Sequence, residues 1–245
     1  MKGETEQLCL QELIASLQGR STTGNRPLQC VFLTHNSDIR RNILEAKANP
    51  QKSRFPDFLF ETGFIEHFRV TAAKEDKKGS ELKKAEVGFK KECEKQMRVL
   101  QDRLLQAPGP GVIVQSPELR YDRNSYRFFL DSFKKNWKHH IDSLEQYDGE
   151  KKVRIFLIES EAASFKAMIN GKYSGRLYRI QDDKDLLEFI FPYRNQIQYV
   201  IFEGAQLFEI IEIDLIPELI KRIPNGLSFD PGTQYITNLQ IGIII

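Results

Sequence analysis

Apolar residues recur along this chain in two rhythms, one of three and four residues and one of short unbroken runs. The three-and-four rhythm predicts helices. Over residues 5–18 it is carried by Leu10, Leu13, Ile14 and Leu17. Over 38–48 it is carried by Ile39, Ile43 and Leu44, with Ser37 or Asp38 as cap and Asn49-Pro50 as stop. The longest instance spans 81–106, where Leu82, Phe89, Cys93, Met97, Leu100 and Leu104 line one face and Lys and Glu crowd the others. A second long one spans 124–147, with Tyr126, Phe129, Phe133, Trp137, Ile141 and Leu144 inward and Asn124 as cap. Shorter helices are predicted after Ser160, after Asp182 and from Pro217 to Ile223.

The short runs predict strands. They are Cys30–Leu33, Phe58–Phe60, Phe64–Val70, Val112–Val114, Val153–Ile158, Ile197–Phe202, Leu207–Ile213 and the terminal Ile241–Ile245. Glu61-Thr62-Gly63 joins two of them as a β-hairpin. Val153–Ile158 shows little alternation, as expected of a strand covered on both faces. Together these elements predict an α/β (or α+β) fold with a central mixed sheet and flanking long amphipathic helices. The Pro-Gly run at 108–111 is the best candidate divider. It separates a 1–107 region from a 112–245 α/β accessory region that either stands apart or continues the same sheet.

Composition narrows the class. The chain has 245 residues, of which 40% are hydrophobic and 29% charged, so it is long and apolar enough for a sizeable core. No apolar run approaches the roughly 20 residues that span a bilayer, and the start Met1-Lys2-Gly3-Glu4-Thr5-Glu6 lacks the pattern of a signal peptide. Three scattered cysteines without a CxxC pair argue against a zinc ribbon or a dithiol redox motif and for a reducing cytoplasm. A net charge of +2 gives no global field for nucleic acid, so any basic surface is local. P-loop, GxGxxG, GxSxG and HExxH patterns are missing. His139 and His140 are adjacent on a predicted helix, point about 100° apart, and read as surface or helix-boundary residues.

Candidate chemistry concentrates in the hairpin. Asp57 and Glu66 are carboxylates set among strand residues such as Phe58, Leu59, Phe64 and Ile65. A two-residue loop puts Asp57 opposite Glu66, with Cβ atoms about 5 Å apart on one face. A three-residue loop puts it opposite His67 instead. Two carboxylates at the first spacing repel unless a proton or a hard divalent cation lies between them.

Pro56-Asp57 on one strand and Glu66 on the next, with Glu45 on the preceding helix, resemble the core of the PD-(D/E)XK, restriction-endonuclease-like nuclease superfamily over roughly residues 38–105. Where the superfamily pattern has Lys, two residues after the acid, this chain has Phe68, so His67 or Arg69 would supply the positive group. The resemblance implies that Asp57 and Glu66 hold Mg²⁺ (or Mn²⁺), with Glu45 bound directly or through water. It also implies that His67 and Arg69 act at the scissile phosphate of nucleic acid, expected to be DNA, in a prokaryotic restriction, phage-defence or mobile-element setting. The missing lysine favours an alternative, a catalytically inactive nuclease-like scaffold that binds a protein partner or a second copy of itself.

Two further features carry readings of their own. Arg69, Lys74, Lys77, Lys78, Lys83, Lys84, Lys90 and Lys91 follow the hairpin, but acidic residues interleave with them, as on a solvated helix face. Glu159 and Glu203 end predicted strands, where open α/β sheets border ligands.

Overall fold

A computed structural model describes residues 4–20, 22–23, 26–27, 29–51, 54–76, 79–106, 109, 111–149, 152–160, 165–204 and 207–244. Its centre is a seven-stranded mixed sheet. In chain order the strands are β1 (Gln29–Leu33), β2 (Lys47–Ala48), β3 (Phe58–Phe60), β4 (Gly63–Val70), β5 (Val153–Ser160), β6 (Tyr199–Glu203) and β7 (Leu207–Glu212). In space they run β1-β7-β6-β5-β4-β3-β2. Strands β4, β5 and β6 are mutually parallel, and β3 is antiparallel to β4. Strands β5 to β7, from the 112–245 region, therefore lie in the same sheet as β1 to β4 from the 1–107 region.

Alternation along these strands divides the core in two. On one face Phe64, Phe68, Phe156, Ile158, Val200 and Phe202 pack under helix α4 (Tyr126–Glu145) and two short helices, Lys184–Ile190 and Ile216–Arg222. On the other, Ile65, Ile155, Leu157 and Ile201 pack under α1 (Glu4–Leu17) and α2 (Ile39–Glu45). Helix α4 delivers its aromatic stripe as the spacing predicts: Phe129, Phe133 and Trp137 are each at most 1% exposed. Burying a side chain of this size contributes roughly 1.5–3 kcal/mol.

Several expectations are corrected. Helix α2 stops at Glu45, because Lys47 and Ala48 pair with Leu59 and Phe58 at the sheet edge. Asn124 does not cap α4; its Nδ2 donates to Gln234 Oε1, and Ser125 holds the cap position. The helix expected after Ser160 starts on residues 161–164, which lie outside the described part. Ser160 itself ends β5, and from Lys166 the chain forms a hairpin of Lys166–Ile169 and Lys172–Leu177. Of the two long helices only α4 flanks the central sheet. Helix α3 (Glu81–Leu105), capped by Ser80 Oγ accepting from the Lys83 N–H, buries little more than Leu82, Cys93 and Met97. It lies beside a separate strand pair, Gly111–Gln115 with Gln240–Ile244. A stripe with one apolar residue per turn is too narrow to sit between a sheet and another layer.

Candidate functional site

The hairpin has the two-residue register. Phe58 pairs with Ile65, Leu59 with Phe64 and Phe60 with Gly63, which leaves Glu61 and Thr62 as the turn. One step further along, Asp57 falls opposite Glu66, on the face covered by α4. The two residues hold each other's strands: the Asp57 N–H donates to Glu66 Oε2 at 3.0 Å, and the His67 N–H donates to Asp57 Oδ2 at 2.9 Å. Asn49 fixes the approach to this corner, its N–H donating to the Asp57 carbonyl and its Nδ2 to the Pro56 carbonyl. Burial first, and the neighbouring Glu66 carboxylate second, push Asp57 up to about 7, although the His67 N–H pulls the other way.

Helix α4 contributes a residue that sequence reasoning placed at the surface or a helix boundary. His140 Nδ1 lies 2.7 Å from Glu66 Oε1. Its ring stacks on Phe68, with centroids 4.8 Å apart and planes at 15°. The signal was present in the helix spacing. Phe133, Trp137, His140 and Leu144 are separated by four, three and four residues, so His140 belongs to the buried stripe.

The other expected residues are distributed differently. Glu45 sits at the end of α2 with its side chain 50% exposed and Arg41 at 4.0 Å, and no hydrogen bond joins it to Asp57 or Glu66 among the described residues. His67 and Arg69 project to the opposite face from Glu66, because strand neighbours alternate. There His67 Nε2 lies 3.1 Å from Glu159 Oε2, while Arg69 grips the same carboxylate with Nε at 2.8 Å and Nη2 at 2.7 Å. Burial pushes Glu159 up, but the hydrogen bonds from His67 and Arg69 outweigh it and hold the group below its ordinary range. Of the basic residues after the hairpin, Lys77 and Lys78 lie outside the described part, and Lys84 pairs with Asp76.

Glu159 has company on this face. It stands opposite Glu203 across the parallel pair β5–β6, at the C-terminal ends of both strands. From α1 the Cys9 thiol donates to Glu203 Oε2 at 3.1 Å. Burial first and Glu203 second push the Cys9 thiol far up, and burial with Glu159 raises Glu203 to about 7.

The chain therefore carries two polar constellations on opposite faces of β4. One is an all-oxygen pair with an imidazole beside it. The other is a mixed set of sulfur, nitrogen and oxygen. Comparison with family models, with curated proteins and with solved structures gave no match. Among the described residues no helix is long and apolar enough to cross a membrane.

Proposed function

We propose that the protein is a metal-dependent nuclease, with Asp57 and Glu66 as the cation-holding carboxylates and DNA as the expected substrate. The observation that carries this reading is the reciprocal pair of hydrogen bonds that forces the two carboxylates together at the start of the hairpin. Their mutual repulsion and partial burial leave a site that a divalent cation relieves. The donor set fits a hard cation. Both groups are carboxylates, and Asp57 Oδ1 accepts no hydrogen bond among the described residues. In such a site Mg²⁺ or Mn²⁺ supplies charge to a phosphate and acidifies a water. The substrate class rests on the resemblance to the PD-(D/E)XK superfamily. The order of α2, the β3–β4 hairpin and a long helix before β5 agrees with it.

The chain's own residues have separable tasks. Asn49 holds the main chain at Pro56 and Asp57, and the His67 N–H fixes the Asp57 carboxyl. His140 Nδ1–H orients Glu66 Oε1, and Phe68, in the lysine position of the pattern, supports the imidazole by stacking. His140 thus brings a nitrogen over the strand where the pattern's amine is missing. His67 and Arg69, whose side chains face the other layer, serve Asp57 only through the His67 N–H.

The scaffold reading retains one specific support: Glu66 is only 6% exposed and already engaged by His140. Cleavage of plasmid and single-stranded DNA with Mg²⁺ or Mn²⁺ separates the two. Metal-dependent cutting abolished by Asp57→Ala supports the nuclease, and no cutting by the wild type supports the scaffold. Within an active enzyme, His140→Ala lowers the rate about 10- to 100-fold, as loss of a partner that orients a ligand does. His140→Asn, which retains a donor near the Nδ1 position, recovers much of it.

A further inference from the structure

We propose that Cys9, His67 and Glu159 form a second cation site, on the α1 face of the sheet, for a zinc-like divalent ion. Its ligating atoms are separate from the Asp57–Glu66 pair, to which the site is joined through the His67 N–H. The sulfur of Cys9, a ring nitrogen of His67 and a carboxylate oxygen of Glu159 all lie within 4.8 Å of one another. In a tetrahedral zinc site ligand atoms stand roughly 3.5 Å apart, so a contraction of at most about 1.3 Å from the 4.8 Å limit closes this set around an ion. The three residues come from α1, β4 and β5, and the latter two are adjacent parallel strands that set His67 beside Leu157, two residues before the level of Glu159 on the same face. Cys9 and His67 are 3% and 5% exposed, so the two softer ligands are shielded from water.

The ligand chemistry selects the ion. A thiolate and an imidazole favour zinc over magnesium or calcium, which take all-oxygen shells. The surroundings fit as well. Arg69 holds Glu159 through both of its oxygens and so fixes the direction of that carboxylate, as outer partners of metal ligands do. Glu203 Oε2, 3.1 Å from the Cys9 sulfur, is placed to take the thiol proton that binding displaces, or to fill the fourth position. With Glu203 ionised in the fourth position, one guanidinium and one divalent ion face a thiolate and two carboxylates, so the formal charges cancel. The consequence is mechanical: the ion fastens α1, through Cys9 alone, to the two central strands.

Cobalt(II) titration of the full-length protein tests this. Expected is one equivalent bound in a tetrahedral site, with a thiolate-to-cobalt charge-transfer band that zinc abolishes. The band persists in Asp57→Asn, which keeps an acceptor for the His67 N–H, and in Cys30→Ser and Cys93→Ser, and is lost in Cys9→Ser and in His67→Gln with the fold retained by circular dichroism. Chelation of the zinc form should speed amide exchange in residues 4–17 above that of the rest of the chain. Absence of the band in the wild type overturns the proposal without any variant. So does a band that survives Cys9→Ser or disappears in Asp57→Asn.

Discussion

At the scale of single residues, the molecule's buried carboxyls are in tension with water. Burial raises Asp57, Glu203 and Glu209 to about 7 and Asp183 to about 6. Two of these have plain structural duties. Asp183 caps a helix through the Leu186 N–H and accepts from the Tyr126 and Tyr178 hydroxyls, and Glu209 accepts from the Ile180 and Gln181 N–H groups. Asp57 has no such duty beyond one hydrogen bond from His67. Its folded pKa lies above the value of about 4 for an unfolded carboxyl. Between those limits the folded state binds more protons, so this group's contribution to stability falls as pH rises from about 4 to about 7. Asp57→Asn is therefore expected to stabilise the protein by about 1–2 kcal/mol at about pH 8, after discounting for partial exposure, and to change little near pH 4. Thermal melts at the two pH values check this. If the same variant loses metal-dependent cleavage, stability has been given up at this position for function. A destabilised Asp57→Asn at high pH would instead make the residue structural.

At the scale of elements, α4 is what joins the hairpin to the core. Its buried face carries Phe129, Phe133 and Trp137 into one layer, and His140 rides on the same face to Glu66. Trp137 is fully buried, stacks on Phe133 at 5.8 Å and meets Phe156 edge-on at 4.9 Å, yet its indole N–H finds no acceptor among the described residues. Shape, not hydrogen bonding, holds it. Trp137→Ala is expected to cost about 3–5 kcal/mol by denaturant unfolding. Trp137→Phe should cost clearly less, because it sheds an unpaired polar group along with part of the volume. Equal losses in the two variants would show that a hidden acceptor holds the indole.

At the scale of the whole molecule, β5 decides what can fold alone. It lies between β4 and β6, pairs with both, and carries Phe156, Leu157 and Ile158 at 0% exposure. A chain cut within the Pro-Gly run at 108–111 would expose β4's parallel edge in one fragment and β5's in the other. Separately expressed 1–107 and 112–245 fragments are expected to lack cooperative thermal transitions, and to regain one when mixed if they reassociate. A cooperative transition in 1–107 alone would restore that region as an autonomous unit.

The sequence by itself determined the local elements wherever periodicity was strong. The α3 and α4 patterns, the hairpin at Glu61-Thr62-Gly63 and the two-sided burial of β5 are all written in spacings of three or four and in unbroken apolar runs. It named Asp57 and Glu66, because a carboxylate among strand residues stands out against its neighbours. It left the hairpin register open, since one turn residue more or less moves Asp57 from Glu66 to His67. Only the tertiary structure decided that, and only it joined residues far apart along the chain: His140 with Glu66, Cys9 with Glu203, and His67 with Glu159. It also separated His67 and Arg69 from Glu66, although they are chain neighbours. The physical reason is the same in each case. Periodicity records which face of an element a side chain takes, but which other element covers that face depends on sheet order and helix placement, and these are set by packing over the whole chain.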